Sequence, residues 1–231
     1  PRSTLLNVAP LLLTQITAPE SRNFYMSELI TKLKSYKVLP VVTPPAPDQC
    51  VELARALAAG GIKAIEITLR NETAMDALRA VKESDVRIDI GVGTLTSAEQ
   101  VRAVAELDLD FGISPGVTAK VLQAAVDTGL NLVPGITSPS EMMLGMEYGL
   151  KAFKLFPAGA IGGYNLLKSL AGPFPNISFC PTGGIGLNNA REYLDLPNVV
   201  CIGGSWMVPS DLVKNQDWEA ITRLCAEAIN V

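Results

Sequence analysis

The chain contains no histidine among its 231 residues. That absence removes Ser-His-Asp and Cys-His nucleophile pairs, every histidine-ligated zinc, iron or copper site, and the metal-dependent lyases that use such sites. Cysteine is scarce and scattered. Cys50, Cys180, Cys201 and Cys225 show no CxxC spacing and sit among apolar neighbours, which suits buried reduced thiols in a cytoplasmic setting better than a disulfide framework. No apolar run approaches the roughly 18 residues that signal a membrane span, so no membrane association is expected. Positive charge is also in short supply: 19 Lys and Arg against 23 Asp and Glu give a net charge of −4. A broad nucleic-acid-binding face is therefore not expected, and any anion must be bound by a local site.

The first twenty-five residues, PRSTLLNVAPLLLTQITAPESRNFY, lack clear periodicity, and proline interrupts their short apolar segment, which speaks against a signal peptide. Residues 1–25 read as an extension of uncertain origin, and the folded part is expected over 26–231 as one domain, a length that α/β barrels commonly reach.

From Met26 onward the chain alternates. Short runs rich in Val, Ile and Phe recur at spacings of 20 to 26 residues: VLPVVT (38–43), AIEITL (64–69), DIGVGT (89–94), FGISPG (111–116), NLVPG (131–135), AFKLFP (152–157), SFCPTGG (178–184) and VCIGGS (200–205). The segments between them carry helix punctuation. Thr96 with Glu99 and Ser138 with Glu141 have capping-box spacing, and Pro139 suits a first helical position. Gly60, Gly129 and Gly149 stand where helices must end. Eight strand–helix units predict a single closed parallel (β/α)8 TIM barrel, with a doubly wound open sheet as the alternative.

Active sites of such barrels lie at the C-terminal ends of the strands. Thr43, Glu66, Thr68, Arg70, Thr94, Ser114, Lys154, Thr182, Gly183, Gly184, Gly203, Gly204 and Ser205 all fall there. In FKLFP, strand alternation puts Lys154 on one face with Phe156 and opposite Phe153 and Leu155. A lysine desolvated in an apolar strand can attack a carbonyl and form a Schiff base, whereas one paired with a carboxylate such as Glu66 can be purely structural. Glu66 shares its face with Thr68 and Arg70 in IEITLR; a carboxylate in that strand needs a cationic partner or stays protonated, and either state suits proton transfer. Arg70, past the strand end, has the geometry to grip a carboxylate. The glycine pairs of PTGGIG (181–186) and CIGGS (201–205) end the seventh and eighth runs, where barrels often cradle phosphate with backbone N–H groups, and Ser205 can add a hydroxyl.

IEITLR, GVGTL, ISPG, FKLFPA, FCPTGGI and CIGGSW, in that order, closely resemble the motifs of the class I KDPG/KHG aldolase family over nearly the whole chain after Met26. The resemblance implies that Lys154 is the Schiff-base lysine and Glu66 the general acid/base. Arg70, Thr94, Pro115 and Phe156 would hold the ketoacid end, and Gly183, Gly184 and Ser205 the phosphate, with Thr182 also in the substrate-binding set. It implies cleavage of a phosphorylated 2-keto acid, 2-keto-3-deoxy-6-phosphogluconate, to pyruvate and glyceraldehyde 3-phosphate, without cofactor or metal, in a homotrimer. Cleavage of 4-hydroxy-2-oxoglutarate can accompany that activity. The phosphogalactonate analogue as substrate, a phosphate-binding barrel isomerase or epimerase, and a catalytically idle barrel are the alternatives.

Overall fold

The computed structural model describes the backbone of residues 18–231 and side chains from Met26 onward. Residues 1–17 lie outside the described residues. The boundary expected at Met26 falls inside the first helix, α1 (Ala18–Tyr36).

Eight strands follow: β1 (Lys37–Val42), β2 (Ala64–Thr68), β3 (Asp89–Gly93), β4 (Phe111–Ser114), β5 (Leu132–Ile136), β6 (Ala152–Leu155), β7 (Ser178–Pro181) and β8 (Cys201–Gly204). Each overlaps its expected run, and most end one to three residues sooner because the terminal residues turn away. Thr94 and Gly183, for example, take positive φ values of 64° and 93°. Helices α2 (Pro47–Ala59), α3 (Ala74–Glu83), α4 (Ala98–Ala105), α5 (Ala119–Thr128), α6 (Pro139–Glu147), α7 (Gly163–Ala171) and α8 (Ala190–Leu194) fill the intervals between strands. After β8 come α9 (Ser210–Lys214) and α10 (Trp218–Ala228).

The strands pair in parallel in the order β7-β6-β5-β4-β3-β2-β1-β8. Single bridges from Phe179 to Val199 and from Thr182 to Gly203 join the two ends of that series and close it into a barrel. The open-sheet alternative is thereby removed.

Alternation assigns the faces. A Cβ on Gly145 of α6 would lie 2.4 Å from the Phe153 ring, so Phe153 points outward from β6 against that helix. Its neighbour Lys154 points into the lumen. The N-terminal end of the barrel is stopped by α1, whose Met26, Leu29, Leu33 and Tyr36 are buried at helical spacing. The Tyr36 ring lies 6.0 Å from that of Phe111, and the Tyr36 hydroxyl donates to Asp89 Oδ2 at 2.6 Å. Lys32 adds ion pairs of 2.8 Å to Asp110 and 3.3 Å to Asp89.

Local punctuation follows the sequence with two adjustments. Ser138 and Glu141 form the expected capping box with Pro139 in the first turn. For α4 the cap is Ser97, whose hydroxyl accepts from Gln100 N, and not Thr96 paired with Glu99. The Gln100 side-chain oxygen instead accepts from both the N–H and the hydroxyl of Thr96, which shifts the helix start by one residue. Gly129 and Gly149 adopt the left-handed turn expected of helix ends. At the end of α2 that conformation belongs to Gly61; Gly60 has a φ of −78° and is required because a Cβ there would lie 2.4 Å from Cys225 Cβ of α10.

Candidate active site

β2 and β6 stand four places apart in a ring of eight, so side chains that meet between them must cross the lumen. Glu66 and Lys154 do so: Lys154 Nζ lies 3.1 Å from Glu66 Oε1 and 3.3 Å from Oε2. Both are buried, at 4 % and 1 % side-chain exposure. Lys154 is thus the partner of Glu66 across the lumen. The pair is also chemically poised, because a carboxylate at hydrogen-bond distance can accept a proton from the amine and return it. The Phe156 ring centroid is 5.3 Å from Lys154 Nζ, so the amine carries an aromatic wall on its mouthward side.

Above this pair opens a cleft of about 660 Å³. Arg70, Phe156, Thr182, Gly183, Gly184 and Ser205 line it; Lys154 and Glu66 sit one layer deeper and do not. Thr94 and Pro115 are also outside the lining. Thr94 is tied to it through Arg70, whose Nε donates to Thr94 Oγ1 at 3.2 Å. A positive φ in a β-branched residue is a backbone outlier of the kind that concentrates at binding sites. Pro115 is half-buried, and its carbonyl packs so closely on Gly135 that a Cβ there would approach it to 2.3 Å.

The phosphate-loop expectation rests on Gly183 and Gly184, which take successive positive φ values of 93° and 74°. Their carbonyls are used internally, accepting from Gly159 N at 2.8 Å and Asn189 Nδ2 at 3.0 Å. Their N–H groups take no part in those bonds, and Ser205, an exposed residue, lines the same cleft. The arrangement can therefore offer backbone donors and a hydroxyl to an anion.

Other rim residues are structural. Thr68 Oγ1 donates to Val42 O at 2.9 Å and Ser114 Oγ to Gly116 O at 2.7 Å, which fastens neighbouring loops. Gly203 makes room for Thr182, since a Cβ there would lie 2.3 Å from Thr182 Oγ1. The four cysteines are free and buried. Burial pushes the Cys50 and Cys225 thiols up to about 12. Cys201 is raised as well, first by its hydrogen bond with Cys180 and then by burial.

Sequence reasoning missed part of the cleft. Gln49 of α2 and Ser210, Val213 and Lys214 of α9 line it, and Asn71 braces it by donating from Nδ2 to Pro44 O at 2.9 Å. The only sequence signal for the α9 wall is the short PSDLVK stretch, too brief to carry a period.

Comparison with known proteins points to one family. The family model described as KDPG and KHG aldolase matches residues 29–224. The KHG/KDPG aldolase of Escherichia coli (strain K12) is 47 % identical over 192 residues, 83 % of this chain and 90 % of the relative. A KDPG aldolase from Legionella pneumophila, solved with pyruvate captured at low pH as a covalent carbinolamine intermediate, superposes with a TM-score of 0.84 at 42 % identity, covering 87 % of this chain and 97 % of that one. The 2-keto-3-deoxy-6-phosphogluconate aldolase of Zymomonas mobilis ZM4, solved with 3-phosphoglycerate, gives 0.83 at 37 % identity over 88 % and 95 %. With the family model matched along nearly the whole barrel and a relative at 47 % identity covering most of it, the chain belongs to the KDPG and KHG aldolase family.

Proposed function

We propose that this chain is a class I, metal-independent aldolase that cleaves 2-keto-3-deoxy-6-phosphogluconate to pyruvate and glyceraldehyde 3-phosphate. The observation that carries the reading is the Lys154–Glu66 pair, buried at 3.1 Å beneath the cleft wall formed by Phe156. Lys154 gives a proton to Glu66 and attacks the C2 ketone, forming a carbinolamine. Glu66 then protonates the departing hydroxyl, and loss of water leaves a protonated imine. The imine draws in the electrons of the C3–C4 bond as the C4 hydroxyl proton passes to Glu66, directly or through water, and glyceraldehyde 3-phosphate departs. The remaining enamine is protonated at C3, and hydrolysis of the imine frees pyruvate and Lys154.

Arg70 grips the ketoacid carboxylate, Thr94 fixes the Arg70 side chain, and Pro115 and Phe156 border the reacting carbons. Gly183, Gly184 and Ser205 receive the phosphate, and Thr182 lies between the two ends. The reading extends to 4-hydroxy-2-oxoglutarate, which presents the same ketoacid end to Lys154. The barrel over 26–231 acts as one domain.

Self-association as a homotrimer is part of the reading. Met143 and Met146, three residues apart on α6, are exposed at 53 % and 39 % and supply adjacent apolar surface for a contact between copies. A cytoplasmic location is supported by the four free, buried cysteines; no described helix is long and apolar enough to cross a membrane.

The test is to incubate the protein with pyruvate, reduce with borohydride, digest and map the adduct by mass spectrometry. A reduced pyruvyl adduct on the peptide containing Lys154 is expected. An unmodified Lys154 in a protein that remains active on sugar phosphates would overturn the assignment in favour of a phosphate-binding isomerase.

A further inference from the structure

In a chain of net charge −4, the cleft lining, among the described residues, holds two cations, Arg70 and Lys214, and no carboxylate. Arg70 stands at the β2 end, tied to Thr94. Lys214 comes from α9, the five-residue helix that follows β8. Ser210, Val213 and Lys214 are spaced i, i+3 and i+4 and all three line the cleft, so this face of α9 is turned toward it. Val208 and Pro209 continue the same wall back to Gly204 and Ser205.

We propose that Lys214 is a specificity-determining residue that attracts the distal phosphate of the substrate and selects the long phosphorylated ketoacid over the short dicarboxylate. The proposal rests on the aldolase reading above and extends it from reaction to substrate choice.

The geometry of the two substrates supplies the reason. Both are tethered at C2 to Lys154 and carry a C1 carboxylate. In 4-hydroxy-2-oxoglutarate the second anion is a carboxylate at C5. In the phosphorylated substrate it is a dianion borne on C6 through an ester oxygen, so it reaches farther from Lys154 toward the outer wall. A cation on that wall meets only the longer molecule. Lysine suits the role because its ammonium is a point charge on a flexible four-carbon stem, able to follow a phosphate already held by backbone N–H groups. Among the described residues Lys214 forms no ion pair or side-chain hydrogen bond that would compete. The acids on neighbouring turns, Asp211 and Asp217, lie outside the cleft lining, and Asp217 accepts from Ala220 N as the cap of α10.

The experiment compares kcat/KM for 2-keto-3-deoxy-6-phosphogluconate and for 4-hydroxy-2-oxoglutarate in the parent chain, Lys214→Gln and Lys214→Arg, with pyruvate–borohydride labelling of Lys154 in each. Lys214→Gln is expected to shift the ratio toward the short substrate by about 2–5-fold, the scale of one solvent-screened charge contact, mainly through KM. Lys214→Arg restores most of the ratio, and inorganic phosphate inhibits Lys214→Gln less strongly than the parent. An unchanged ratio, or equal losses on both substrates, overturns the role of Lys214 while intact labelling leaves the aldolase reading standing. Absence of labelling in the parent chain overturns both.

Discussion

Glu66 fits only because residue 93 is glycine: a Cβ on Gly93 would lie 2.3 Å from Glu66 Oε1 and 2.8 Å from its Cγ. The two are neighbours on β2 and β3, where Thr68 pairs with Gly93 and Glu66 with Gly91. The carboxylate leans along its strand into the space that the missing side chain leaves. Gly93→Ala should therefore push Glu66 off the amine of Lys154. Overpacking of this kind costs about 1–3 kcal/mol, and kcat should fall with stability. Thermal melts and steady-state kinetics check it; an unchanged kcat would mean that the placement of Glu66 is not critical.

Glu66→Gln keeps the shape of the side chain and removes its capacity to hold a proton. Turnover should fall by roughly 10²–10⁴-fold, the usual scale of general acid–base catalysis. Borohydride trapping at Lys154 should slow along with it. A loss below tenfold in kcat would point to a structural role for the buried pair.

Ser205→Ala removes one hydroxyl from the cleft wall and leaves the glycine backbone in place. Binding of the phosphorylated substrate should weaken by about 0.5–1.5 kcal/mol, the net worth of one hydrogen bond, whereas pyruvate binding stays nearly constant. Equal weakening of both, measured as KM and as pyruvate saturation of trapping, would remove Ser205 from the phosphate end.

Much of this site could be read along the chain, because its signals are local. Lys154 interrupts an apolar run, Glu66 does the same in IEITLR, and paired glycines close the seventh and eighth strands. The sequence offered a Lys154–Glu66 pairing only as one of two readings, because they are 88 residues apart and only closure of the ring puts β2 opposite β6. The start of α4 was ambiguous for another reason: Thr96 and Ser97 are both hydroxyl residues three positions ahead of a capping partner, and only the fold picks one. Lys214 was missed because five helical residues are too few to betray which side faces a cleft.

The base of the barrel gives a prediction in pH. Burial, followed by the hydrogen bond to Asp89, pushes the Tyr36 hydroxyl well above its ordinary 10.0. The hydrogen bond to Asp110 likewise raises Lys32 above 10.5, against some burial. Both groups hold their protons more tightly when folded, so their stabilisation is complete below the unfolded values and is lost as pH rises through the higher folded ones. Stability should decline from about pH 10 upward. Tyr36→Phe should be less stable at neutral pH by about 1.5–3 kcal/mol, having lost a bond to a charged acceptor, and should decline less steeply in alkali. Denaturant melts between pH 7 and 11 test this; parallel curves for the two proteins would contradict it.

The helix lodged against Phe111 and Asp89 has a bearing on traffic as well as on stability. With one end stoppered by Tyr36, the barrel opens, among the described residues, at the cleft that Phe156 lines. In the proposed reaction the fragment fastened to Lys154 lies innermost, and the fragment bearing the phosphate lies between it and the exit. Departure is then sequential by construction: the aldehyde half must clear the passage before the fragment left on the lysine can be freed and follow it out.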